Sequence, residues 1–217
     1  MGMRIHPALL ALAAGLSLGA CGTGRHLPAY EAPLARTGFQ QVRTTAYTDT
    51  ESDHREYGNR TALGGVLRAA PPPVVPRALP VTQTFKRASW SSYQPIAYVS
   101  RSQPFLQDNF SNQIYGSAAA DWSRWPAGTI FRVVSTGQLY RVEDYGWALA
   151  GRNTIDLYMA TPRDMNSWGL RRELIQIVQW GDLQESLRRL APHTKYRHIR
   201  RMVLELEGNP RAAARLD

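Results

Sequence analysis

The feature that most constrains the fold is a series of short β-like segments in the second half of the chain, separated by glycine and asparagine turns. Residues 129–135, 138–143 and 154–158 are rich in β-branched and aromatic residues. A longer run of the same character, 39–48, comes earlier, and another, 173–180, follows. Many short strands joined by tight turns predict a mainly β domain that closes as a small barrel.

Helical spacing follows the last of these segments. Residues 182–190 and 196–207 repeat apolar side chains at helical intervals, so we expect a helical tail over residues 183–217. A short helix is also predicted after Thr161, a suitable cap, with Pro162 in its first turn. The apolar stripe of the last helix comprises Ile199, Met202, Val203 and Leu206.

A proline-rich stretch interrupts the β pattern after the first strand. Residues 69–80 contain five prolines, a density that excludes a helix or a central strand. The chain then stays rich in Ser, Gln and Asn through Tyr115. We therefore predict a long loop insertion over residues 69–115, within a barrel domain of residues 39–182.

The beginning of the chain has the layout of an export signal. A basic start precedes an apolar and small-residue run over residues 8–20, and the single cysteine, Cys21, follows directly. Residues 18–21 resemble the lipobox of bacterial lipoproteins, in which cleavage leaves a lipidated cysteine. We predict a signal peptide over residues 1–20, lipidation of Cys21 and a tether over residues 21–38. A plain secretory signal with an incidental cysteine is the alternative.

The cysteine count, the lengths of the apolar runs and the net charge limit which partners and which cellular location the chain can have. One cysteine excludes a disulfide framework, and no apolar run reaches the roughly 18–20 residues of a membrane-spanning helix. The chain has a net charge of +9, and its basic residues are nearly all arginines, which form no nucleic-acid-binding motif. We therefore expect anionic envelope polymers as partners and no nucleic acid. We expect a monomeric, periplasm-facing lipoprotein. Gly22 replaces the Asp of an inner-membrane retention signal, which favours the outer membrane.

Three aspartates occupy similar settings, because each follows small or apolar residues at the end or in the middle of a strand-like segment. They are Asp121, Asp144 and Asp156. Burying an unpaired carboxylate costs several kcal/mol, and carboxyl groups brought together raise one another's pKa. A carboxyl that stays protonated near neutral pH is the general acid that glycosidic cleavage requires. The hypothesis is that folding gathers all three in one cleft.

Several short motifs occur in order along the predicted barrel. They are TTAYT at 44–48, TALGGVLR at 61–68, AAD at 119–121, PAGT at 126–129, EDYG at 143–146, GRNTIDLY at 151–158 and WG at 168–169. In this order they resemble the 3D, or three-aspartate, domain family, found in membrane-bound lytic transglycosylase A and in cell-wall-lytic stationary-phase survival proteins. The resemblance implies a six-stranded double-psi β-barrel.

The resemblance also implies that the chain is a peptidoglycan lytic transglycosylase. By position, Asp156 would protonate the oxygen between N-acetylmuramic acid and N-acetylglucosamine. It would then take the proton of the muramic C6 hydroxyl, which closes a 1,6-anhydro ring. Asp144 and Asp121 would be supporting carboxylates. Substrate contacts are expected from Thr45, Tyr47, Thr61, Arg68 and Trp147.

Two alternatives stay open. Relatives commonly have Asp-Thr-Gly-Gly at the second acid, where this chain has Tyr145 and Trp147. That departure favours a non-catalytic, expansin-like module that binds peptidoglycan, and three acids in one groove also permit a water-using glycoside hydrolase. The flat face of Trp147 suits a pyranose ring. No metal or organic cofactor is implied. Glu51, Asp53 and His54 share one loop and could ligate a cation, but an acidic loop with one His is more typical of a solvated surface.

Overall fold

Six strands form a closed barrel, which confirms the predicted mainly β barrel. The computed structural model describes residues 26–51, 58–72 and 114–216. Around the barrel the order is β1-β5-β2-β4-β3-β6; β1 with β5 and β2 with β4 are parallel, and the other four pairings are antiparallel. The strands are β1 Phe39–Tyr47, β2 Gly116–Ala120, β3 Ile130–Val133, β4 Leu139–Asp144, β5 Thr154–Tyr158 and β6 Arg171–Gln179.

The predicted strands agree with the observed ones except at β2. Strand β5 has the predicted bounds, and β6 begins two residues earlier than expected. Strand β2, with the sequence GSAAA, was not predicted, because glycine and alanine have little intrinsic preference for strands. All five of its residues are buried, since β2 lies between β5 and β4, and this tertiary position overrides local preference.

Alternate side chains of the strands fill the barrel interior. Ala118 and Ala120 of β2 point inward, and the small size of these residues leaves room for larger partners from neighbouring strands. Trp125 closes one part of the core, where its Nε1 donates to Oε1 of Gln40 at 2.8 Å. The larger interior side chains include Val42, Phe131, Tyr140, Val142, Ile155, Leu157 and Ile175.

In the part of the chain that the structure describes, four α-helices accompany the barrel: α1 Pro162–Trp168, α2 Leu183–Leu190, α3 Arg197–Leu206 and α4 Pro210–Ala214. Thr161 caps α1 as predicted, because its side chain accepts from the backbone N–H of Asp164. The predicted stripe of α3 is confirmed, since Ile199, Met202 and Val203 are buried in the core. Within the described residues, no helix has the length and apolar character needed to cross a membrane.

Part of the predicted tether lies against the barrel. Residues 26–38 form no helix or strand, but Glu31 is held firmly. Its carboxylate accepts from the backbone N–H of Asn153 at 2.7 Å and from Arg152 and Arg43 at 3.0 Å each. An irregular sequence predicts the absence of regular structure and says nothing about such contacts. The predicted signal peptide, Cys21 and most of the insertion lie outside the described residues.

Gly181 provides a test of packing next to α2. A Cβ atom at this position would lie 2.5 Å from the carbonyl oxygen of Pro126 and 2.7 Å from the amide nitrogen of Thr129. Because backbone cannot move aside cheaply, Gly181→Ala is expected to lower the free energy of unfolding by about 1–3 kcal/mol in urea titrations. Gly38→Ala is the control, since its Cβ would have no neighbour within 4 Å. Equal stability of the two variants would contradict this packing.

Candidate functional site

Two of the three predicted aspartates share an outer face of the barrel. Ala119 of β2 is opposite Asp156 of β5 on one side and opposite Asp144 of β4 on the other. Paired residues on neighbouring strands project to the same face, and two strand spacings separate the Cα atoms of the two aspartates by about 10 Å. We call these three residues the carboxylate row. Ala119 contributes only a methyl group between the two acids.

A β-bulge brings another acid to the end of this row. The pairing of β2 with β4 shifts by one residue, so that Ala118 is opposite Val142 but Ala119 is opposite Asp144. Glu143 is the additional residue, and its buried carboxylate accepts from the hydroxyl of Ser117 at 2.9 Å. Bulges of this kind redirect side chains and are common beside functional sites.

Asp156 is half-buried, and among the described residues the side chain hydrogen-bonded to it is that of Thr45. Thr45 of β1 is opposite it and donates from Oγ1 to Oδ1 at 2.7 Å. Burial raises the pKa of Asp156 to about 6; the hydrogen bond from Thr45 opposes this shift, and the charge of Glu51 adds to it. A carboxyl with this pKa is suited to donate and then accept a proton near neutral pH.

Asp144 has a similar environment built from different contacts. Its Oδ1 accepts from the backbone N–H of Tyr145 at 2.8 Å, and its main-chain oxygen accepts from Nε1 of Trp122 at 2.9 Å. Burial raises the pKa of Asp144 to about 6, the backbone N–H groups of Tyr145 and Ala62 oppose the shift, and the charge of Glu143 adds to it. The row therefore presents two carboxyls that titrate in the same range.

An apolar cluster on the outer face explains why burial dominates both pKa values. Ala119 belongs to it, together with Tyr47, Tyr158, Leu67 and Leu149. These side chains exclude water from the aspartates, which disfavours the charged carboxylates. Burial, followed by the charges of Asp144, Asp156 and Glu143, raises the pKa of Tyr47 well above its usual value, so its phenol stays protonated.

A tight turn covers one end of the row. Thr61 accepts from the backbone N–H of Gly65 at 3.1 Å through its hydroxyl, and Gly64 adopts a φ of +87°, which favours glycine. The backbone N–H of Leu63 donates to the carbonyl of Glu143 at 3.2 Å, which fixes the turn to β4. The sequence TALGGVLR at 61–68 therefore forms a turn that covers the carboxylate row at Glu143 and Asp144.

Asp121 does not join the row. Strand β2 ends at Ala120, and the Asp121 side chain is fully buried where Oδ2 accepts from the backbone N–H of Gly151 at 2.6 Å. Its Oδ1 accepts from the backbone N–H of Ser123 at 2.8 Å. Burial, and then the charge of Glu205, raises the pKa of Asp121. The expected three-acid cleft is corrected to two acids, because the turn after β2 directs the third into the interior.

The five residues predicted to contact substrate fall into two groups. Tyr47 and Thr61 are 3% and 5% exposed, so they shape the site from beneath. Thr45 and Trp147 are half-buried, the latter in the 3₁₀ turn Trp147–Leu149 beside the apolar cluster, and Arg68 is exposed. Thr45, Trp147 and Arg68 therefore remain available to a ligand.

Sequence reasoning assigned no role to Glu143 or to Ala119. Strict alternation along β4 would place Glu143 and Asp144 on opposite faces, and only the bulge brings them together. The small residue at position 119 carries no chemical signal of its own. The pair of consecutive acids at the end of a predicted strand was the one available hint.

Two further observations bear on identity. Among residues 26–51, 58–72 and 114–216, no group of three or more His, Cys, Asp or Glu side chains is placed to hold a metal ion, and Asp53 and His54 lie outside these ranges. No protein-family model matches the chain, and no curated protein is significantly similar to it. The chemistry of the site therefore rests on its own geometry.

The raised pKa values predict an unusual pH dependence of stability. Between about pH 4 and pH 6 the unfolded chain releases protons that Asp144 and Asp156 still hold in the fold. The free energy of unfolding should therefore fall with rising pH, by about 2 kcal/mol for each carboxyl. Asp144→Asn and Asp156→Asn should each remove a share of this decline in urea titrations at pH 4, 5, 6 and 7.

Glu185→Gln is the control for this measurement. Hydrogen bonds from Arg188 and Arg189 lower the pKa of Glu185, so the wild-type carboxylate adds stability as pH rises. Its removal should change the pH slope in the opposite direction from the two aspartate variants. If both aspartate variants kept the wild-type slope, the assignment of raised pKa values to the row would be wrong.

Proposed function

We propose that this barrel cleaves the glycan strands of peptidoglycan as a lytic transglycosylase, with Asp156 as the acid–base group. The observation that carries the proposal is the carboxylate row, with two half-buried carboxyls of pKa about 6 on either side of one methyl group. A sugar chain lying across the row would contact both acids. General acid–base catalysis is most effective when the pKa of the group is near the working pH.

Each step has a residue to perform it. Protonated Asp156 gives its proton to the glycosidic oxygen, and the bond from that oxygen to the anomeric carbon of N-acetylmuramic acid breaks. Ionised Asp144 stabilises the positive charge that develops on the sugar ring. Asp156, now a carboxylate, takes the proton of the C6 hydroxyl, whose oxygen bonds to the anomeric carbon. The 1,6-anhydro product forms without water, and Asp156 is protonated again.

Asp156 suits the proton-transfer role better than Asp144 does. Thr45 fixes Oδ1 of Asp156 from one side, which orients the other carboxyl oxygen for a single partner. Asp144 accepts from two backbone N–H groups, which stabilise its ionised form and oppose the effect of the neighbouring Glu143 charge. Buried Asp121 has a structural role, since it fixes the backbone at Gly151, and the next residue, Trp122, donates to the main-chain oxygen of Asp144.

The fold and location are part of the same proposal. We infer a double-psi barrel of the 3D family, supported by six strands in a closed order with two parallel and four antiparallel pairings. The net charge of +9 favours anionic wall polymers as the partner. Lipidation of Cys21 would hold a periplasm-facing domain at the membrane next to its substrate, as a monomer.

A water-using glycosidase is the second candidate. Inverting glycosidases separate their two carboxyls by about 6.5–9.5 Å to admit a water, and the two-strand spacing of Asp144 and Asp156 suits such a separation. The two reactions differ in their products. A transglycosylase leaves anhydromuramic ends on peptidoglycan, whereas a hydrolase leaves reducing ends.

Digestion of purified sacculi followed by mass spectrometry tests both candidates. The wild-type protein should release anhydromuramic products, and Asp156→Asn should lower the rate by about 10²–10⁴-fold, because it removes the acid. Asp164→Asn, at an exposed carboxyl in α1, is the control and should match wild type. Retained activity in Asp156→Asn removes Asp156 from the mechanism. Pelleting with sacculi without any product would identify a binding module instead.

Thr45 offers a test of how the acid is tuned. The hydrogen bond from Thr45 lowers the pKa of Asp156, so Thr45→Val should raise that pKa further. Activity that needs protonated Asp156 should then persist to higher pH, so the alkaline limb of the pH–rate profile should shift to higher pH. Thr45→Ser keeps the donor and should keep the wild-type limb. A profile that Thr45→Val leaves in place would count against Asp156 as the acid.

A further inference from the structure

A second surface, rich in arginine, adjoins the carboxylate row. It is an open groove of about 770 Å³ that begins at Arg68 and Glu143, passes Arg141 of β4 and ends at Arg189 of α2. We call it the arginine groove. Neither aspartate of the row lines it, but Glu143 directly precedes Asp144 in the chain. A polymer lying across the row can therefore extend a branch into this groove.

At the near end, one buried carboxylate serves two exposed cations. Oε1 of Glu143 lies 3.3 Å from Nη2 of Arg68 and 3.7 Å from Nη1 of Arg141. The Glu143 side chain is 6% exposed, whereas the two arginine side chains are 52% and 44% exposed. The second distance is beyond a good hydrogen bond. One positive charge is therefore left over, and it faces the groove.

On the far wall, too, two arginines share one carboxylate. On α2, Glu185 accepts from Arg189 through Oε1 at 2.5 Å and also pairs with Arg188 through Oε2. The carboxylate of Asp182, the remaining acid of the groove, accepts from the backbone N–H groups of Gln184 and Glu185 and so caps the helix. Three arginines and three acids line the groove, but the acids are occupied, because backbone N–H groups use the Asp182 carboxylate and two arginines share each of Glu143 and Glu185. The guanidinium groups therefore keep exposed N–H donors for a ligand.

We propose that the arginine groove binds the carboxylates of the peptides that branch from the glycan strand. This inference rests on the proposed function and names the part of the substrate that the groove selects. Planar guanidinium groups pair with carboxylates through two parallel hydrogen bonds, which gives both charge and orientation. The groove is open and polar, as suits a flexible acidic peptide. Arg141 and Arg189, from opposite walls, are the recognition residues.

The test compares two substrates prepared from the same sacculi. One is glycan strands that keep their peptides, and the other is the same strands after an amidase has removed them. Arg141→Gln and Arg189→Gln should each raise KM about tenfold on peptide-bearing strands, the loss expected for one charge-assisted hydrogen bond, with kcat nearly unchanged. Neither variant should alter cleavage of the stripped strands, which also reports correct folding.

Arg188→Gln is the matched control, because Arg188 shares Glu185 with Arg189 but does not line the groove. It should behave as wild type on both substrates. Equal losses of the two groove variants on both substrates, or no loss on either, would overturn the proposal.

A separate readout applies if the wild-type protein cleaves neither substrate, which would refute the proposed function alone. Pelleting then compares native sacculi with sacculi whose peptide carboxylates have been converted to amides. Weaker binding of Arg141→Gln and Arg189→Gln to native sacculi only would support the groove. Binding that ignores both the variants and the amidation would refute it.

Discussion

The position of β2 between a parallel and an antiparallel neighbour is the constraint on which the site depends. This pairing places Ala119 opposite Asp156 on one side and opposite Asp144 on the other. The bulge is equally necessary, because without it Glu143 would take the place of Asp144 beside Ala119. Backbone pairing therefore sets the distance between the two acids, whereas their side chains need only small adjustments.

The same arrangement carries a cost in stability. Raised carboxyl pKa values mean that the ionised acids destabilise the fold near neutral pH. The barrel interior, with its fully buried Phe131, Ile155 and Leu157, supplies apolar burial that offsets this cost. Thr45 and the backbone N–H groups near Asp144 limit it further. These hydrogen bonds keep the pKa of each aspartate near the pH at which its carboxyl can both donate and accept a proton.

The sequence predicted the barrel and five of its six strands, because alternation and turns are local signals. It also singled out Asp144 and Asp156 from their settings beside small and apolar residues, and Thr45 through a family resemblance. It did not predict β2, whose alanines and glycine become a strand only through their neighbours, nor the inward turn of Asp121 after that strand. The role of Glu143 was also hidden, because a bulge is a property of two strands paired together.

Glu31 has a mechanical consequence. Its carboxylate holds Arg43 within β1 and also Arg152 and Asn153, which lead into β5. These are the two strands that bring Thr45 against Asp156. Tension applied to the chain before Glu31 would be shared between both strands at once and would not shear one past the other. The contacts of Glu31 would therefore protect the hydrogen bond between Thr45 and Asp156 from such tension.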